Sequence, residues 1–129
     1  MVIDSSALIS VLFNEVDSPQ FLKILDESKP LYMSSLSWFE SALVAEAKKG
    51  LDGARFFNEL TAELSIQFIP FDQTQAEIAL DAWRRFGKGR HPAGLNLGDC
   101  ASYALAKTLN QVLLFKGDDF SKTDVAAFE

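Results

Sequence analysis

The feature that most constrains this chain is an alternation of two lengths of pattern. Four short apolar runs, residues 2–4, 31–33, 66–69 and 112–115, are separated by longer stretches whose apolar residues recur at helical spacing. Runs this short, bounded by polar or turn residues, read as buried strands. The intervening stretches read as helices over residues 5–13, 18–27, 35–49, 52–64, 74–86 and 97–109, with Gly50 closing the third. Strands joined through helices pair side by side in parallel, and the helices cover the sheet. The expectation is an α/β fold with a central parallel sheet buried on both faces. The 129 residues suffice for one core, and no repeat, low-complexity segment or linker interrupts them. Residues 1–129 are therefore expected to form a single domain.

Composition excludes several classes. No apolar stretch approaches the roughly 20 residues that span a bilayer, and no basic leader precedes an apolar segment, so the expectation is a cytoplasmic protein without a membrane partner. The lone Cys100 has no disulfide partner in the chain and lacks the companions of a structural zinc site, and it reads as a small core residue. A net charge of −6 argues against broad, sequence-indifferent attraction to nucleic acid. The distribution is uneven, however. No acid lies between Asp81 and Asp99, while Arg84, Arg85, Lys88, Arg90 and the only histidine, His91, do. That window suits a phosphate-bearing substrate. It equally suits a solvated turn rich in Gly and Pro from Gly87 to Gly94.

The acids fall where an open α/β sheet gathers its ligands, outside the carboxyl ends of the strands. Asp4 ends the first apolar run, and Asp118 and Asp119 follow the last. Carboxylates converging there repel one another unless a cation sits among them, so the pattern points to a divalent-metal site. Each acid also has a purely structural reading. Asp4 is placed to accept N–H groups at a helix start. Asp99, three residues after Asn96, matches a capping pair. Asp118 and Asp119 suit a turn leading into a short helix. Glu40 is harder to explain this way: Leu36, Leu43, Val44 and Ala47 stand three, four and seven residues from it, which puts the carboxylate on an apolar face. A carboxylate facing a core is costly unless paired or bound to metal.

Four segments together resemble a known family. They are Val2-Ile3-Asp4-Ser5-Ser6-Ala7-Leu8, Ser37-x-x-Glu40, the run from Gly89 through Asp99-Cys100, and Leu113-Leu114-Phe115-Lys116-Gly117-Asp118-Asp119-Phe120. They look like a PIN domain of the VapC toxin type, from the first residues to the last dozen. The resemblance implies a three-layer α/β/α fold with a parallel sheet of four or five strands. It implies a metal-dependent endoribonuclease, the toxin of a type II toxin–antitoxin pair, leaving 5′-phosphate and 3′-hydroxyl ends. By position, Asp4, Glu40 and Asp99 match the family's three invariant acids, and Asp119 is favoured as the fourth, with Asp118 a nearby helper. Ser6 matches the small hydroxyl residue after the first acid, and Asn96 lies close enough to orient the site. The implied partners are RNA, a VapB-type antitoxin and a second copy of the chain.

The residue types fit that chemistry. Mg²⁺ and Mn²⁺ prefer oxygen ligands and keep waters, leaving room for a substrate phosphate. Such an ion acidifies a water for in-line attack, and a second supports the leaving oxygen. Asp4, Asp99, Asp119 and Asp118 are the expected metal ligands, and Arg90, His91 and Lys116 the expected phosphate contacts. The apolar side chains Leu12, Phe13, Phe21, Leu22, Phe56 and Phe57 are candidate partner surfaces. Two rival functions stand beside this one. A phosphoacceptor receiver also has acids at strand ends and a strand-end lysine, which Lys116 imitates. A non-catalytic module would use the acids only to dock a basic partner.

Overall fold

The computed structural model describes residues 1–129. Four strands form its sheet: β1 (Val2–Ile3), β2 (Tyr32–Ser34), β3 (Gln67–Ile69) and β4 (Leu113–Leu114). They lie in the order β3-β2-β1-β4, every pair parallel, with Val2 opposite both Tyr32 and Leu113. Helices α1 (Ser5–Leu12) and α2 (Ser18–Glu27) join β1 to β2. Helix α3 (Ser35–Glu63) joins β2 to β3, and α4 (Gln73–Phe86) with α5 (Leu97–Leu109) joins β3 to β4. This is the three-layer α/β/α arrangement expected from the alternation, with four strands.

The pleat divides the core in two. Ile3, Met33 and Leu114 face a cluster with Leu8, Phe21, Leu25, Ala45 and Phe57, from α1, α2 and α3. Their neighbours Val2 and Leu113 face a second cluster with Ala82, Leu95, Cys100, Tyr103 and Leu105, from α4, α5 and the loop between them. Successive strand residues point to opposite faces, so β1, β2 and β4 each feed both layers. Cys100 is buried in the second, as its small size and lack of partners predicted.

Three of the strands are shorter than the apolar runs that mark them, and β2 keeps its length but is shifted by one residue. Asp4 leaves the sheet to cap α1, and Val112 and Phe115 flank a two-residue ladder. The two central helices expected over 35–49 and 52–64 are one element broken at Gly50, whose φ of 60° and ψ of −148° are open to glycine and strained for other residues. The expected apolar face around Glu40 is not the buried one. Leu43 is 56% exposed and Ala47 is exposed, whereas Ser37, Ser41 and Ala45 are buried. In this first part of α3 the small side chains are buried, and Phe39 and Leu43 are left exposed. No helix is long and apolar enough to cross a membrane.

The order β3-β2-β1-β4 sets a switch in chain direction at β1. The chain proceeds from β1 outward to β2 and β3, then returns to the other side of β1 as β4. The crevice past the carboxyl ends of β1 and β4 is where such sheets receive ligands.

Candidate active site

Asp4 lies at the carboxyl end of β1. It is the N-cap of α1, its Oδ2 accepting from the Ser6 N–H at 3.0 Å. Its Oδ1 accepts from Ser102 Oγ, from α5, at 2.5 Å. The residue is 2% exposed. A carboxylate so deep is costly unless donors meet its oxygens, and both oxygens of Asp4 are met. Ser6 also ties the two strands of the switch point together, because its Oγ accepts from the Lys116 N–H at 2.9 Å.

Asp99 enters from the first turn of α5. It forms a reciprocal capping box with Asn96: the Asp99 N–H donates to Asn96 Oδ1 at 2.9 Å, and the Asn96 N–H donates to Asp99 Oδ2 at 3.0 Å. Glu40 comes from the second turn of α3 and is half-buried, with Ser5 Oγ donating to its Oε1 at 2.6 Å. Its carboxylate lies over the backbone of α5. A Cβ on Gly98 would stand 2.7 Å from the Glu40 carboxyl carbon, so the glycine leaves room for the Glu40 carboxylate to lie where it does. Asp119 precedes the 3₁₀ turn Phe120–Lys122, and its side chain makes no capping bond.

These acids act on one another. Burial pushes the Asp99 carboxyl up to about 6, against the Asn96 N–H, which favours the charged form. The charges of Asp4, Glu40 and Asp119 raise it further. Four acids from four different segments thus share one electrostatic environment.

They do not form a closed cage: no three His, Cys, Asp or Glu side chains stand close enough to grip one ion. A hard divalent cation needs no closed cage, because Mg²⁺ keeps several waters and takes only one or two carboxylates directly. The donors fit a hard divalent cation. They are all oxygen, they carry excess negative charge, and Asp4, Glu40 and Asp99 are already oriented by other groups.

The basic residues lie elsewhere. Lys116 Nζ turns to Glu15 and Asp17, both at 3.3 Å, where these bonds outweigh burial and hold its charge above the ordinary lysine range. Arg90 lies over the Trp83 ring at 4.7 Å and donates to the Arg84 carbonyl. His91 Nδ1 accepts from the Ala93 N–H, and its ring meets Phe86 edge-on. None of the three bonds to the carboxylates. Arg85 is committed to Asp81 and Asp124, while Arg84, Lys88 and Arg90 have no acidic partner. Of the apolar side chains expected on a partner surface, Phe21 and Phe57 belong to the core instead, and Leu12, Phe13, Leu22 and Phe56 remain at least partly accessible. The groups that sequence reasoning missed are hydroxyls, Ser5 and above all Ser102. The one available signal was spacing, since Ser102 follows Asp99 by one helical turn.

The model of the PIN domain family matches residues 1–126. The chain belongs to the PIN-domain family. Ribonuclease VapC of Mycolicibacterium smegmatis is 46% identical over 127 residues, covering 98% of each chain. That likeness places the chain among the VapC ribonucleases of the family. Two solved structures share the fold at low identity. VapC20 of Mycobacterium tuberculosis, described as a toxin cleaving the sarcin–ricin loop, superposes with a TM-score of 0.81 at 12% identity, covering 98% of this chain and 97% of its own. A toxin–antitoxin complex from Klebsiella pneumoniae gives 0.72 at 18%, covering 98% and 95%. A PIN domain displaces the phosphoacceptor receiver as a reading, and Lys116 turns to surface acids instead of the crevice.

Proposed function

We propose that this PIN domain is an endoribonuclease, the toxin of a toxin–antitoxin pair, which hydrolyses RNA at the switch-point crevice with Mg²⁺ or Mn²⁺. The observation that carries the reading is the gathering of Asp4 from the end of β1, Glu40 from α3 and Asp99 from α5 at the switch-point crevice, each carboxylate held by a hydroxyl or a backbone N–H. The M. smegmatis relative, alike over nearly the whole of both chains and called a ribonuclease, supports the reaction class. When bound, the cation acidifies a water to make the nucleophile and offsets charge on the leaving oxygen.

The chain's own residues supply the remainder. Asp4, Asp99 and Asp119 are the cation's carboxylates, with Asp118 beside them. Ser102 and the Ser6 N–H fix the orientation of Asp4, and Asn96 fixes Asp99. Glu40, aimed by Ser5, completes the negative rim. The Ser6 hydroxyl proton has no protein acceptor and is free for a phosphate oxygen. Arg90, with Arg84 and Lys88, offers unpaired cations for the flanking phosphates, and His91 orders the loop that carries Arg90. Lys116 reaches a phosphate only by leaving Glu15 and Asp17.

We further propose that residues 1–129 act as one domain in the cytoplasm, as a homodimer, under a VapB-type antitoxin. The K. pneumoniae complex, which pairs a toxin of this fold with an antitoxin, supports the last, and the exposed Leu80, Trp83 and Leu97 support a second copy. Mapping RNA ends after brief expression in cells tests the activity and names the substrate. New 5′-phosphate ends at a restricted set of sites, absent with Asp4→Asn, are expected. An unchanged end map overturns the ribonuclease reading.

A further inference from the structure

Ser102 and Ser37 are fully buried, and neither belongs to the acidic set. Ser102 Oγ stands 2.5 Å from Asp4 Oδ1 and 3.2 Å from Ser37 Oγ. A hydroxyl carries one proton, and an ionised carboxylate only accepts. The proton of Ser102 is therefore committed to Asp4, and the contact with Ser37 runs the other way, Ser37 donating to Ser102.

The spacing of this relay is informative. Ser37 precedes Glu40 by three residues on α3, and Ser102 follows Asp99 by three on α5. Residues three apart share a helical face, so each serine lies one turn from an acid of the site. The chain of hydroxyls links the N-terminal turns of α3 and α5 to the end of β1. It joins the three segments that carry Glu40, Asp99 and Asp4.

We propose that Ser37 and Ser102 form a positioning relay that sets the orientation of the Asp4 carboxylate and the separation of the three acids for the cation. Ser102 is the direct element, and Ser37 acts through it. Neither is a catalytic residue, since neither touches substrate or reacting atoms. The proposal rests on the reading of these acids as a divalent-cation site. Outer hydrogen bonds of this kind govern metal affinity as well as rate, and their loss costs about 10- to 100-fold.

Mn²⁺ binding to purified protein, followed by calorimetry without RNA, tests this apart from activity. Ser102→Ala is expected to weaken Mn²⁺ binding by about 10- to 100-fold, and Ser37→Ala by less. The double variant is expected to bind no more weakly than Ser102→Ala, because two groups in series do not add. If Ser102→Ala fails to fold, Ser37→Ala, which leaves the bond to Asp4 in place, carries the test: weaker binding at a native melting temperature supports the relay, and wild-type affinity overturns it. Wild-type Mn²⁺ affinity in a folded Ser102→Ala protein, or additive losses in the double variant, overturns the relay while leaving the cation site standing. Absence of Mn²⁺ binding by the wild-type protein overturns both.

Discussion

Asp118 and Asp119 are adjacent in sequence, and the charge of Asp119 reaches Asp99. The family pattern favours Asp119. Asp119→Asn is expected to lower cleavage at saturating Mn²⁺ more than Asp118→Asn, and turnover rates of the two variants decide it; the reverse order makes Asp118 the ligand. Asp99 itself ties pH to stability. Its folded pKa of about 6 lies above the ordinary 3.8. Below pH 3.8 it is protonated in both folded and unfolded chains and costs nothing. As pH rises through 6 the folded state must ionise a group that the unfolded chain ionises more easily, and stability is lost at about 1.4 kcal/mol per pKa unit. Metal-free Asp99→Asn is therefore expected to melt above wild type at pH 7.5, with the gap closing toward pH 4 or on adding Mn²⁺. Equal melting temperatures at pH 7.5 in EDTA would count against the crowded-acid account. The acids themselves were legible in the sequence, Asp4, Asp99, Asp118 and Asp119 as charged residues at a strand end or helix start and Glu40 as a carboxylate among apolar residues at helical spacing. Ser5 and Ser102 were not, because a serine on a helix gives no sign of whether it faces water or a buried carboxylate.

Among the elements, α5 was the most legible. Its expected bounds match the structure, and its Asn96–Asp99 box is both the structural device expected there and the support for the candidate site. Capping and catalysis are thus not alternatives for Asp99; the hydrogen bonds that start the helix also aim the carboxylate. Helix α3 was legible in its break at Gly50 and misread in its face. Phe39 and Leu43 are large and apolar yet more than half exposed, while Ser37 and Ser41 are buried. Periodicity reports which residues share a face, and the packing of α3 against α1 on one side and its contact with α5 on the other decided which face went inside. That contact yields a further prediction. Gly98→Ala puts a methyl against the Glu40 carboxylate, the far end of a flexible side chain, so the fold accommodates it. Alanine also favours the helix by about 0.5–1 kcal/mol. The expected result is unchanged or slightly raised thermal stability with cleavage reduced on the order of 100-fold, the cost of a misplaced group. Wild-type turnover in this variant would remove Glu40 from the site.

For the molecule as a whole, the alternation of strand and helix was enough to place the crevice, because a parallel sheet with a switch at β1 brings Asp4 and the β4 end together. Partner surfaces were less legible. Phe56 and Phe57 are neighbours of one kind, yet Phe57 is core and Phe56 is 55% exposed; only the packing of α3 separates them. Control by an antitoxin belongs to this scale. An arginine on an antitoxin tail would pair bidentately with the carboxylates that hold the cation. A tail peptide is expected to inhibit cleavage, with inhibition weakening as Mn²⁺ rises; inhibition indifferent to Mn²⁺ would indicate steric blocking of the basic loop instead. All of this depends on one claim, that the acids gathered at the switch point hold a divalent cation that makes the chain a ribonuclease. The most direct measurement is cleavage of RNA by purified protein with Mn²⁺, with Mg²⁺ and with excess EDTA, beside Asp4→Asn, Glu40→Gln and Asp99→Asn proteins shown to be folded. Cleavage by the wild-type protein with either cation is expected, and none in EDTA or from the three variants. Undiminished cleavage in EDTA, or by folded Asp4→Asn, would contradict it.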